Sequence, residues 1–75
     1  MIDAVELIDN DFLRQFELKV EGQLAKIEYS LQDRKIFLTK LIVPDNISDT
    51  SFTEEFLKLV MRNIQERNIS VVPTS

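Results

Sequence analysis

The side chains with acid–base potential are the carboxylate pairs Asp9/Asp11 and Glu54/Glu55, the single Tyr29, and Lys40 inside an otherwise apolar run. Two neighbouring carboxylates can divide the work of acid and base, and a tyrosine or lysine can join them when its environment moves its pKa. Each also has a purely structural reading. Asp9 and Asp11 belong to the turn-prone cluster Asp9-Asn10-Asp11. Glu54 and Glu55 fall where a helix begins, and free amides there favour negative charge. Tyr29 is in phase with Ile27 and Leu31, so its ring belongs in a core with the hydroxyl at the edge. Lys40 fits a strand position facing solvent. The structural reading is preferred at every position, and no catalytic residue is assigned.

The rest of the inventory narrows the chemistry further. The chain has no His and no Cys, which removes the commonest general base, the thiolate nucleophile, the disulfide and the sulfur-ligated metal. One glycine cannot build a dinucleotide fingerprint, and no phosphate loop of the G-x-x-x-x-G-K type occurs. A net charge of −4 with scattered basic residues argues against nucleic acid. No stretch has the length of a membrane span, and residues 1–20 interleave charges instead of forming an apolar signal core. The sequons at Asn46 and Asn68 are read as chance, and the expected location is cytoplasmic.

The elements that must position these residues follow from hydrophobic period. All 75 residues form one domain. Val5–Ile8 is a short apolar strand. From Gln15, Phe16, Leu18 and Val20 alternate with Glu17, Lys19 and Glu21, the period of a half-buried strand. Glu21-Gly22 turns the chain, with glycine supplying positive φ. Ala25, Ile27, Tyr29 and Leu31 define the return strand, and Gln32-Asp33-Arg34 the next turn. Lys35–Val43 is apolar on both faces, which predicts a central strand covered on both sides and ended by Pro44. Ser51-Phe52-Thr53-Glu54 has the form of a capping box. Phe52, Phe56, Val60 and Ile64 then give a helix stripe, widened by Leu57 and Met61. Arg62 and Arg67 suit its C-terminal end, and Asn68 its left-handed exit. Ser70-Val71-Val72 is a last strand, stopped by Pro73. The predicted fold class is α+β: a mixed, mainly antiparallel five-stranded sheet in the order β-β-β-β-α-β, with one long helix on a face.

The run from Phe16 to Ser75 resembles the small single-domain GNAT-like N-acetyltransferases. The matching pieces are Phe16-Glu17-Leu18 with Val20-Glu21-Gly22, Ala25 with Ile27-Glu28-Tyr29, and Ile36-Phe37-Leu38-Thr39. Val43-Pro44, the helix and Val71-Val72-Pro73 complete the match. The resemblance implies a sheet splayed between its fourth and fifth strands, with acetyl-CoA in the gap. The cofactor's pantetheine would pair around Ile42 and Val43, and its pyrophosphate would sit on the loop opening the helix.

The departures from the family pattern fall on its functional positions. Lys40 and Leu41 stand where the pattern has His-Thr. Ser48-Asp49-Thr50-Ser51-Phe52-Thr53 stands for its Gly-x-Gly loop, with both glycines lost, to Asp49 and Ser51. Ser75 takes the place of its Cys. Asp45, Asp49, Glu54 and Glu55 crowd the anion-binding end of the helix, with no basic residue between Lys40 and Lys58. The expectation is a degenerate acetyltransferase-like domain whose vestigial cofactor site comprises Ile42, Val43, Asp49, Thr50, Ser51, Phe52 and Thr53. It needs no cofactor, or acetyl-CoA if that site still works, and it serves as a binding or interaction module. The alternatives are an active N-acetyltransferase that relies on proximity, and an oligomerising domain whose open groove is covered by a partner or a second copy. In that last case the fifth-strand edge is the pairing surface.

Overall fold

Phe16 and Leu18, then Ala25, Ile27 and Tyr29, then Ile36 and Leu38 are spaced by two and are all buried. A strand sends alternate side chains to opposite faces, so three such sets laid side by side make one apolar surface. In the computed structural model they belong to strands β2 (Gln15–Val20), β3 (Gln23–Gln32) and β4 (Lys35–Ile42). A short strand β1 (Ile8–Asn10) precedes them. The structure describes residues 6–47, 50–67 and 70–73.

β1 to β4 form a four-stranded antiparallel meander in which Phe16 faces Ile27 and Leu18 faces Ala25. Helix α1 (Thr50–Glu66) lays Phe52, Phe56, Val60 and Ile64 on that apolar surface. The chain then returns as β5 (Ser70–Pro73), which pairs in parallel with Lys35–Leu38, the first half of β4.

The expected five-stranded, compact GNAT-like sheet is corrected. The antiparallel sheet has four strands, a single helix covers one face of it, and 75 residues with one helix are too few for a GNAT fold. The expectation that β4 is covered on both sides fails with it. Phe37 on the open face is half-buried, and Lys40 and Leu41 are exposed.

Three local features explain where patterning and structure part. First, the initial strand lies at Ile8–Asn10, so Asp9 and Asn10, read as turn residues, are strand residues. Val5 of the expected strand lies outside the described residues. Second, Thr39 is an extra residue in β4: Glu28 pairs with Lys40 while Tyr29 pairs with Leu38. Such a bulge reverses the alternation. A strict period of two would send Lys40 to the helix side with Ile36 and Leu38. The bulge returns it to the open face opposite Glu28, and the Thr39 hydroxyl donates to the Glu28 carbonyl at 3.2 Å.

Third, α1 begins at Thr50, one residue ahead of Ser51. Ser51 is therefore inside the first turn instead of capping it. The stripe is widened by Leu59, which packs on the core, while Leu57 is exposed. Arg67 follows the helix, its N–H bonded to the Ile64 carbonyl at 3.0 Å. The expected exit residue Asn68 lies outside the described residues.

Two hairpin turns use left-handed backbone. Glu21 and Gly22 have φ of 51° and 77°, and Asp33 and Arg34 have 51° and 63°. Positive φ at both central residues is the hairpin form whose twist matches the flanking strands. Glycine meets that demand in the first turn; in the second, Arg34 bears it with a Cβ.

Candidate functional site

The polar side chains of this protein concentrate around β1 and its turn into β2, where they form two clusters on opposite sides of the sheet. On the helix side, Tyr29 donates its hydroxyl to Asp9 Oδ1 at 2.5 Å, and Arg67 pairs with the other Asp9 oxygen. The Arg67 guanidinium also lies over the Phe16 ring, 5.9 Å from its centroid, and the Phe16 and Tyr29 rings are 5.0 Å apart. Burial first, and then the Asp9 carboxylate, pushes the Tyr29 pKa up to about 12. A phenol held so firmly in its neutral form is a hydrogen-bond donor and a poor base.

On the open side, Glu17 Oε2 accepts from the amides of Gln15 at 2.6 Å and Asn10 at 2.8 Å. Gln15 is the one buried polar residue among those described, and this bond accounts for its amide. Asn10 serves both the strand and the turn, because its Oδ1 accepts the Leu13 N–H at 3.0 Å.

Between the clusters the chain crosses from β1 to β2 at residues 11–14. Arg14 pairs with Asp11 at 2.6 Å, adopts φ of 56°, and receives the Tyr29 N–H on its carbonyl at 3.0 Å. The turn is thus fixed from the strand beneath it and from within. It carries Phe12, 92% exposed, and Leu13, 55% exposed, with Ile8 at 51% beside them on β1. No other large apolar side chain among those described is as open as Phe12.

Sequence reasoning passed over this tip. The available signal was an apolar pair, Phe12-Leu13, placed between turn formers where no period of two or of 3.6 would bury it. Asp9, assigned to a turn, is instead the centre of the inner cluster.

The expected cofactor site is distributed differently. Ile42 ends β4 half-buried, and Val43 packs on the core cluster that contains Phe52. Phe52 is buried, Thr53 half-buried, and Thr50 and Ser51 are exposed at the start of α1. Asp49 lies outside the described residues, as does Ser75. Asp45 opens a 3-10 turn, Asp45–Ile47, and Glu54 and Glu55 are exposed just beyond the first helical turn. A pyrophosphate approaching Thr50 and Ser51 would meet these carboxylates, so this donor set does not fit the group.

Among the described residues no group of three acidic residues is placed to hold a metal ion. No helix among them is long and apolar enough to cross a membrane. The chain matches no known family by comparison with family models, and no curated protein is similar to it, so nothing there identifies a GNAT-like family.

Proposed function

We propose that this chain is a small binding module that works through contact with another macromolecule and not through catalysis. The observation that carries the reading is Phe12, 92% exposed on a turn held by bonds from Asn10, Asp11 and Tyr29. Burying such a ring gains about 1.5–3 kcal/mol, and the fold of this protein takes none of that gain. A partner can.

Weak or lost acetyl-CoA binding belongs to the same reading. It is supported by Phe52 standing in the core and by the carboxylates around Thr50 and Ser51. Acetyl-CoA at 100 times its dissociation constant would add about 2.7 kcal/mol of stability. That would raise the melting point of so small a domain by roughly 10 °C or more. An unchanged melting point is the expected result.

Photo-crosslinking tests the module itself. A benzoylphenylalanine replaces Phe12, Leu24 or Leu57 in turn, three exposed positions on separate parts of the surface. The cells making the protein are then irradiated. A discrete adduct from at least one position is expected; diffuse background from all three would end the reading.

A further inference from the structure

Resting on that reading, we propose that the β1–β2 turn is the contact surface. Its partner is a protein offering an apolar pocket with a cationic rim, into which Phe12 inserts with Leu13 beside it. Three observations converge on that partner.

The first is shape. Phe12 and Leu13 stand at the apex of a turn, a convex feature, and the complement of a protruding ring is a concavity. Because the turn is already fixed by Asn10, by the Arg14–Asp11 pair and by Tyr29, docking does not have to order it. Rigid aromatic anchors of this kind carry a disproportionate share of binding energy.

The second is charge. Residues 6–17 hold four carboxylates, Glu6, Asp9, Asp11 and Glu17, against the single guanidinium of Arg14. Arg67 adds one positive charge at Asp9. The surroundings of Phe12 therefore remain net negative, and Glu17 is bonded only to neutral amides in the cluster described above. Cations at the pocket rim complement this field, whereas an anionic lipid surface opposes it.

The third is area. A phenylalanine buries about 150–250 Å², while a stable interface needs about 800 Å² from each partner. Two convex tips meeting each other fall well short of that. A pocket in a larger protein can close over the tip and its flanks.

The test starts from the full chain carrying benzoylphenylalanine at position 12. The crosslinked protein is identified by mass spectrometry, purified, and titrated with the parent and its variants. Phe12→Ala should weaken binding by about 30-fold or more with an unchanged melting point. Phe12→Leu should recover part of the loss, Leu24→Ala should leave binding intact, and added salt should weaken it. A partner that binds Phe12→Ala as tightly as the parent overturns the proposal. So does an adduct to a second copy of the chain, or Phe12-dependent sedimentation with phosphatidylserine vesicles. Adducts from Leu24 or Leu57 but not from position 12 overturn it while leaving the binding-module reading standing. Absence of adducts at all three overturns both.

Discussion

The hydroxyl of Tyr29 and the carboxylate of Asp9 meet at 2.5 Å across twenty residues of chain, joining β3 to β1 on the helix side of the sheet. β1 has only three residues and pairs on one side with β2. The side-chain bond therefore supplies much of what fixes its position. Tyr29→Phe should destabilise the protein by about 1–2 kcal/mol, read as a lower denaturant midpoint. An unchanged midpoint would mean that backbone pairing alone holds β1.

The same residue predicts a pH dependence. The folded-state pKa of about 12 lies above the ordinary 10.0. Below pH 10 both folded and unfolded chains keep the proton, and the contribution is fully present. Between about 10 and 12 the unfolded chain releases its proton while the folded chain holds it, so stability falls as pH rises. With one tyrosine and no tryptophan, phenolate absorbance reports Tyr29 alone. Its midpoint in the native protein should lie near 12, and in Asp9→Asn it should remain above 10, because burial is the larger cause. A native midpoint near 10 would show the ring to be more open to water than the structure has it.

Arg34 offers a stabilising substitution. Its φ of 63° follows 51° at Asp33, and a Cβ in that conformation costs about 1–2 kcal/mol. Arg34→Gly should raise the melting point by roughly 4–8 °C for each kcal/mol relieved. The converse change, Gly22→Ala at φ 77°, has open space around the new methyl and should lower it by backbone strain alone. If both changes leave melting untouched, the turns relax more freely than their backbone angles indicate.

Neighbouring helix positions should behave oppositely. Phe56 is fully buried, whereas Leu57 is 37% exposed. Phe56→Ala should cost about 3–5 kcal/mol, enough to leave a domain of this size largely unfolded. Leu57→Ala should change stability by no more than about 0.5 kcal/mol. Circular dichroism of the two variants separates them directly. Equal losses would place Leu57 in the core.

Apolar spacing made much of the core legible in advance. Phe16, Leu18, Ala25, Ile27 and Tyr29 read as inward positions because a period of two survives wherever one sheet face is buried, and Phe52, Phe56, Val60 and Ile64 read as a stripe for the equivalent helical reason. What spacing could not disclose depends on partners far along the chain. Asp9 looks like a turn former until Tyr29 and Arg67 are placed beside it. Lys40 looks misplaced until the extra residue at Thr39 reverses the alternation. The acetyltransferase resemblance failed at the level of architecture because strand patterns repeat among unrelated sheets, whereas chain length limits how many layers can be built. The Phe12 tip escaped notice because a residue that packs against nothing leaves no periodic trace.

The order of strands across the sheet, β1 to β4, is also their order along the chain. Every antiparallel contact can therefore be made by closing a short loop on the segment just before it. Hairpins of this length zip in about 1–10 μs, and a topology dominated by near neighbours crosses its folding barrier quickly. The parallel β4–β5 pairing must wait for α1 to form and cross over. A chain emerging from the ribosome could thus assemble the meander progressively, leaving helix docking and the final strand as the slow closing steps.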